Sequence, residues 1–249
     1  MEPTDFVLVF LAFAAGGIIK GAAGAGAPLL AVPLMVVLRD VQFAVAVFVL
    51  PNIVPNLWQY WRCKEAISSP KFAWRFALAG GLGAGLGSLA LAGWRPEILI
   101  LFVAVALVFY VVFRLLKPSW QIQKPMADKL VVPAGMIGGA LQGAAGLSAP
   151  VSITFLSTVK LERREFMATI SLFFVVLGVV QAPALMALGI MTTERFIYSL
   201  LSLIPLMLFM PVGAWIGSKL SKEVFDRLLL LILSILAVKL MYDVYSFNW

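Results

Sequence analysis

Residues Gly17–Pro28 read G-I-I-K-G-A-A-G-A-G-A-P, and residues Gly139–Pro150 read G-A-L-Q-G-A-A-G-L-S-A-P. The two stretches lie 122 residues apart (139 − 17), close to half of the 249-residue chain, and seven of their twelve positions are identical. An internal duplication decides the fold before any single residue does. Each copy interrupts an apolar run with glycines and closes on a proline. Paired, glycine-interrupted apolar segments at matching places in two halves point to the binding site of a transporter.

The flanking sequence sets the class. The chain is 62% hydrophobic and 12% charged, with a mean hydropathy of +1.02, more apolar surface than a soluble domain can hide. It reads as an integral membrane protein whose partners are the lipid bilayer and a solute. Histidine is absent and Cys63 is the single cysteine, which excludes an internal disulfide and a Cys/His metal cluster. The net charge of +7 sits in short loops between apolar segments, so it argues for loops held at one membrane face and not for nucleic acid. Met1-Glu2-Pro3-Thr4-Asp5 lacks the basic start of a signal peptide, so the first apolar segment is expected to stay in place.

Around the first copy, Phe6–Ile19 and Pro28–Leu38 form two short apolar arms. At about 1.5 Å per residue they reach roughly 21 and 16 Å, against a hydrocarbon core of about 30 Å, so the pair suits a re-entrant hairpin. Three spans follow: Val41–Trp61, Phe72–Gly93 and Ile98–Leu116. After a basic linker, Lys117–Lys129, the order returns: arms at Leu130–Gln142 and Ala149–Val159, then spans at Phe166–Leu188, Phe196–Leu220 and Phe225–Tyr245. A weaker echo, Gly83-x-x-x-Gly87-Ser88 against Gly213-x-x-x-Gly217-Ser218, supports the pairing. With both broken elements returning to their own side, 14 of the 19 lysines and arginines fall at the cytoplasmic face, whereas letting both elements cross spreads them evenly. The expected fold is therefore an all-α polytopic protein of two inverted repeats, residues 1–116 and 130–249, joined by a cytoplasmic linker over 117–129. Each repeat is a hairpin plus three spans.

Each hairpin tip ends at a proline in the first turn of the returning arm, where its missing amide hydrogen costs nothing. Gly24, Ala25 and Gly26 in one tip, and Gly146, Leu147 and Ser148 in the other, then offer backbone N–H groups at a helix N-terminus. Such ends attract anions through their free donors and the helix dipole. Lys20 adds a cation beside the first tip, and Gln142 takes its place in the second. Asn52, Asn56 and Gln59 fall on one helical face, and Gln181 is the counterpart of Gln59 at the repeat spacing. Ionisable and amide groups in a span are functional candidates by default, although amides also glue helices together. No carboxylate or imidazole lies well inside a predicted span, so a proton relay of that kind is missing, and no cofactor or catalytic nucleophile–base pair is called for. A secondary transporter with its anion bound at mid-membrane between the tips is the reading favoured here; a passive anion channel is the alternative, and an enzyme is disfavoured.

The duplicated G-x-x-x-G-x-x-G-x-[GS]-x-P element, with the late G-x-x-x-G-S run before a final apolar helix, resembles the TauE/SafE, or TSUP, family of sulfite exporters. The resemblance covers nearly the whole chain and is strongest in K-G-A-A-G-A-G-A-P. It implies export of sulfite, an organosulfonate or a similar oxyanion across the bacterial inner membrane. By motif it places Gly21, Gly24, Gly26 and Pro28 in the first element and Gly143, Gly146 and Pro150 in the second. Leu147-Ser148 departs from the expected glycine-rich turn and makes the second tip bulkier. Oligomeric state is left open.

Overall fold

The computed structural model describes residues 3–116, 121–219 and 222–246; positions 117–120 of the expected linker and Leu220 at the end of one expected span lie outside them. Within these residues the chain forms ten α-helices: α1 (Pro3–Ala23), α2 (Ala27–Leu38), α3 (Val41–Cys63), α4 (Pro70–Gly93), α5 (Pro96–Leu116), α6 (Lys124–Ala145), α7 (Ala149–Thr158), α8 (Arg163–Ala187), α9 (Thr193–Lys219) and α10 (Lys222–Ser246). Starts follow ordinary capping chemistry. Asp40 caps α3 by accepting from the Phe43 amide at 2.7 Å, and proline occupies the first turn of α2, α4, α6 and α7.

All six expected spans are helices long and apolar enough to cross a membrane, and α1 joins them as a seventh. The first arm is thus longer than its sequence suggests, 21 residues in place of 14. Gly17 and Gly21 do not break it, and α6 likewise runs through Gly139 and Gly143 to Ala145. The physical reason is backbone contact. A Cβ at Gly21 would lie 1.9 Å from the Met210 carbonyl oxygen of α9, and one at Gly139 would lie 1.9 Å from the Gly80 carbonyl oxygen of α4. The echoing runs supply the opposite surfaces: a Cβ at Gly213 would meet the Ile18 carbonyl at 2.0 Å, and one at Gly87 the Ala140 carbonyl at 2.2 Å. Glycine pays its helix penalty here so that two backbones can touch, as apolar surroundings favour.

The packing crosses between the halves. α1 packs on α9, α6 on α4, α5 on α10 and α3 on α8. Phe6, early in α1, and Phe43, just beyond α2, both contact the ring of Tyr198 near the start of α9, one tilted and one edge-on, so α2 returns the chain to the end where α1 begins. Ile122 donates its amide to the Thr158 carbonyl at 2.9 Å, so α7 returns to the end where α6 begins. The short returning helices have 12 and 10 residues, which reach about 18 and 15 Å, near half of a hydrocarbon core. Outward faces stay apolar: Leu78, Leu82, Leu86 and Leu89 form an exposed stripe along α4, a surface suited to lipid and not to water.

Candidate functional site

Both helix breaks are three residues long. In the first, Gly24 and Gly26 have φ of 77° and 99°, values that side-chain-bearing residues rarely adopt. In the second, only Gly146 is left-handed, at 70°, and Ser148 is an ordinary residue at φ −79°. That removes the need for a second glycine and explains the Leu147-Ser148 departure.

The two tips differ in what surrounds them. Gly24 faces a cavity of about 640 Å³ bounded by α1, α3, α8 and α9, with Lys20 and Gln59 in the same wall. The cavity reaches none of Gln142, Gly146, Leu147, Ser148 or Gln181. The second tip is instead packed on the first half: a Cβ at Gly146 would lie 3.0 Å from Val32 and 3.2 Å from Val45, and Leu147 belongs to the main core cluster. Ser148 is buried and its hydroxyl has no hydrogen-bond partner among the described residues. The structure therefore brings Lys20, Gly24, Asn56 and Gln59 together at one tip and sets the second tip apart.

Lys20 is 2% exposed. Its Nζ donates to Asn56 Oδ1 at 2.7 Å, and Asn56 Nδ2 donates to the Asn52 carbonyl at 2.7 Å. Asn52 Nδ2 in turn donates to the Phe174 carbonyl of α8 at 2.9 Å. Both asparagine amides are thus spent on orienting Lys20 and tying α3 to α8. No carboxylate among the described residues lies within ion-pair reach of Lys20. A buried ammonium with one neutral partner and two further donor positions is costly until an anion joins it.

The glutamines brace the breaks. Gln59 Nε2 donates to the Gly24 carbonyl at 2.7 Å, and Gln181 Nε2 donates to the Gln142 carbonyl at 3.2 Å. The Gly24 carbonyl, just past the end of α1, finds its partner in Gln59, whereas the Gln142 carbonyl also accepts the Gly146 amide at 2.8 Å, so Gln181 is a second donor there. At the second tip Gln142 Oε1 also accepts the Ser148 amide at 3.2 Å. A side-chain oxygen there takes a backbone donor that an anion could otherwise use. At the first tip the equivalent position is Lys20, which cannot accept, and no partner for the Ala25 or Gly26 amides occurs among the described residues. Ala25 and Gly26 are buried behind Gly24.

Two further cations, Arg62 and Arg164, line the same cavity. The sequence reading places them only among loop charges. The available signal was spacing: Arg62 is three residues beyond Gln59 on α3, so the two share a side of the helix.

A multi-span bundle built round two broken helices, with an uncompensated buried cation at one break, is the architecture of a membrane transporter. Residues 8–240 match the family described as sulfite exporter TauE/SafE, and the chain belongs to that family, whose members are transporters and not enzymes. No curated protein sequence and no solved structure matches it.

Proposed function

We propose that the protein is a secondary transporter that exports a small sulfur-containing oxyanion, sulfite or an organosulfonate, across the bacterial inner membrane. The family description supports the substrate class. The single observation that carries the binding site is Lys20: buried, held by Asn56, without a counter-ion among the described residues, and facing a cavity shared with Gly24 and Gln59. An oxyanion bound there would accept from the ammonium, in a setting where charge-assisted bonds are strong. The Ala25 and Gly26 amides, without partners among the described residues, are the backbone donors the first tip has to offer, since the Gly24 amide donates to the Lys20 carbonyl. Gly146, Leu147, Ser148, Gln142 and Gln181 act as the second break, in which Gln142 takes the Ser148 amide and which holds α6 and α7 in place across the bundle.

Two relations support inverted repeats over 1–116 and 130–249. The first hairpin opens beside Tyr198, at the start of α9, and the second opens beside Ser68 and Glu165, at the start of α8. Consecutive spans start at opposite ends, so the hairpins open in opposite directions. The cross-paired contacts α1 with α9 and α6 with α4 exchange under the same operation. The basic loops around Arg62, Lys64, Lys124, Lys160 and Arg164 gather at the end where α8 starts, which is the cytoplasmic face by the positive-inside rule.

An inside-negative potential drives anion exit by about 2.3 kcal/mol per charge per 100 mV, so export needs no proton relay. The test is flux into liposomes holding the purified chain, comparing sulfite, a small sulfonate, sulfate and thiosulfate with and without an imposed potential. Sulfite or sulfonate flux that follows the potential is the expected result; folded protein that moves none of them would remove the assignment.

A further inference from the structure

We infer that Arg62 and Arg164 form a second anion station, at the rim of the Lys20 cavity, where the solute is held before it descends to the first tip. The inference rests on the transport reading above and extends it to residues that reading does not use.

Arg62, at the end of α3, and Arg164, at the start of α8, are both exposed, whereas Lys20 in the same cavity is buried. They mark its mouth and Lys20 its floor. The charged groups lining the cavity are these three cations, with no acid among them. Neither guanidinium is committed to a carboxylate within ion-pair distance among the described residues. Both are nonetheless held in place. Arg62 lies over the Trp58 ring at 5.0 Å, and Arg164 Nη2 donates to the Arg62 carbonyl at 3.4 Å. Stacking and one backbone bond fix the two groups while leaving most of their planar donors free. That is the arrangement in which arginine recognises an oxyanion by paired hydrogen bonds. Arg62 stands six residues beyond Asn56, about 9 Å along α3, so the two sites are separate contacts and not one cluster. A cleft lined by one sign of charge with apolar walls concentrates the opposite ion and speeds its arrival, an effect that salt suppresses. Apart from Gln59 and the three cations, the lining is mostly apolar, with Pro55, Met167 and Met210 among it.

The test uses the full chain in phosphatidylcholine liposomes, with sulfite and ethanesulfonate as probes and initial rates taken at low and high ionic strength. The double variant Arg62→Gln/Arg164→Gln is expected to raise KM about tenfold at low salt, leave the maximal rate within about twofold, and lose most of the salt dependence. Arg62→Lys/Arg164→Lys should keep the salt dependence and recover only part of the KM, because lysine lacks the planar fork. Lys160→Gln, at the same end but lining a different cleft, should leave both constants unchanged. Unaltered KM in the double glutamine variant overturns the station, as does an equal effect from Lys160→Gln, which would reduce it to diffuse surface charge. An effect seen only when phosphatidylglycerol is added would assign the pair to a lipid headgroup and overturn it too. Absence of flux from the unmodified protein speaks instead against the transport reading on which the station depends.

Discussion

Asn52 Nδ2 donates to the carbonyl of Phe174 at 2.9 Å, and Phe174 is the residue 122 positions further along, the spacing of the repeat itself. A residue and its own counterpart therefore touch where α3 packs on α8. Such a self-pairing accords with the proposed inverted repeats, in which an axis exchanging the two halves would pass close to this contact. The same amide chain continues through Asn56 to Lys20, so the candidate anion site hangs from the junction of the halves.

The tie should couple fold and flux. Asn52→Leu removes the side-chain donor that ties α3 to the Phe174 carbonyl of α8, at a cost of about 0.5–1.5 kcal/mol for the lost hydrogen bond. The main bond of Asn56, to the backbone carbonyl of residue 52, survives, and only its long 3.5 Å contact with Asn52 Oδ1 is lost. Thermal unfolding in detergent should shift down by several degrees, and anion flux should fall together with it. A variant that loses neither would make the contact incidental.

Asn56→Asp places a carboxylate where Lys20 now finds a neutral oxygen. The new pair neutralises the cation that an anion would meet. The expected result is a folded protein with flux reduced at least about tenfold, because the buried pair competes directly with the solute, and with a somewhat lower melting temperature, because aspartate lacks the amide donor that Asn56 gives the Asn52 carbonyl. Flux at the parental level would show that the charge of Lys20 is not what recruits the anion.

Helical glycines should differ in cost according to what their added Cβ would meet. Gly21→Ala forces its Cβ into the Met210 carbonyl, and Gly139→Ala does the same at Gly80. Each should destabilise by at least about 1–3 kcal/mol, since two backbones must separate. Gly93 has nothing within 4 Å of its added Cβ, and Gly93→Ala should be neutral or stabilising by about 0.4–1 kcal/mol. Unfolding midpoints of the three variants check the ranking.

Much of this was legible in the residues, for reasons that can be named. The duplication stood out because seven identities recur in register, and the six expected spans are strongly apolar, so their positions needed no tertiary information. Gly17 and Gly21 misled in one respect. Glycine spacing alone cannot separate a helix break from a close helix contact, and only the carbonyls of Leu206 and Met210 across the interface show which it is. The all-helical, multi-span class was legible from composition and the apolar runs. The difference between the tips was not: it depends on Gln142 folding back onto the Ser148 amide, a local geometry that its chain spacing does not specify. Arg62 and Arg164 were hidden for the opposite reason, because cations at span ends are the rule and carry no mark of a site.

Sidedness is open to direct labelling. In a Cys63→Ser background, Arg39→Cys and Arg163→Cys should react with an impermeant thiol reagent from opposite sides of the membrane. Labelling from one side only would break the relation between the two hairpins.

The central claim is that a buried lysine at the first helix break binds the transported anion. The most direct measurement is sulfite and sulfonate flux in liposomes for the parent and Lys20→Met at equal, verified amounts of folded protein. Removing a cation that lacks a counter-ion relieves a burial cost, so the variant should be at least as stable as the parent. Its flux should fall at least about tenfold, the loss expected for one charge-assisted contact of about 1.5–3 kcal/mol. A stable Lys20→Met protein that transports like the parent would contradict the account.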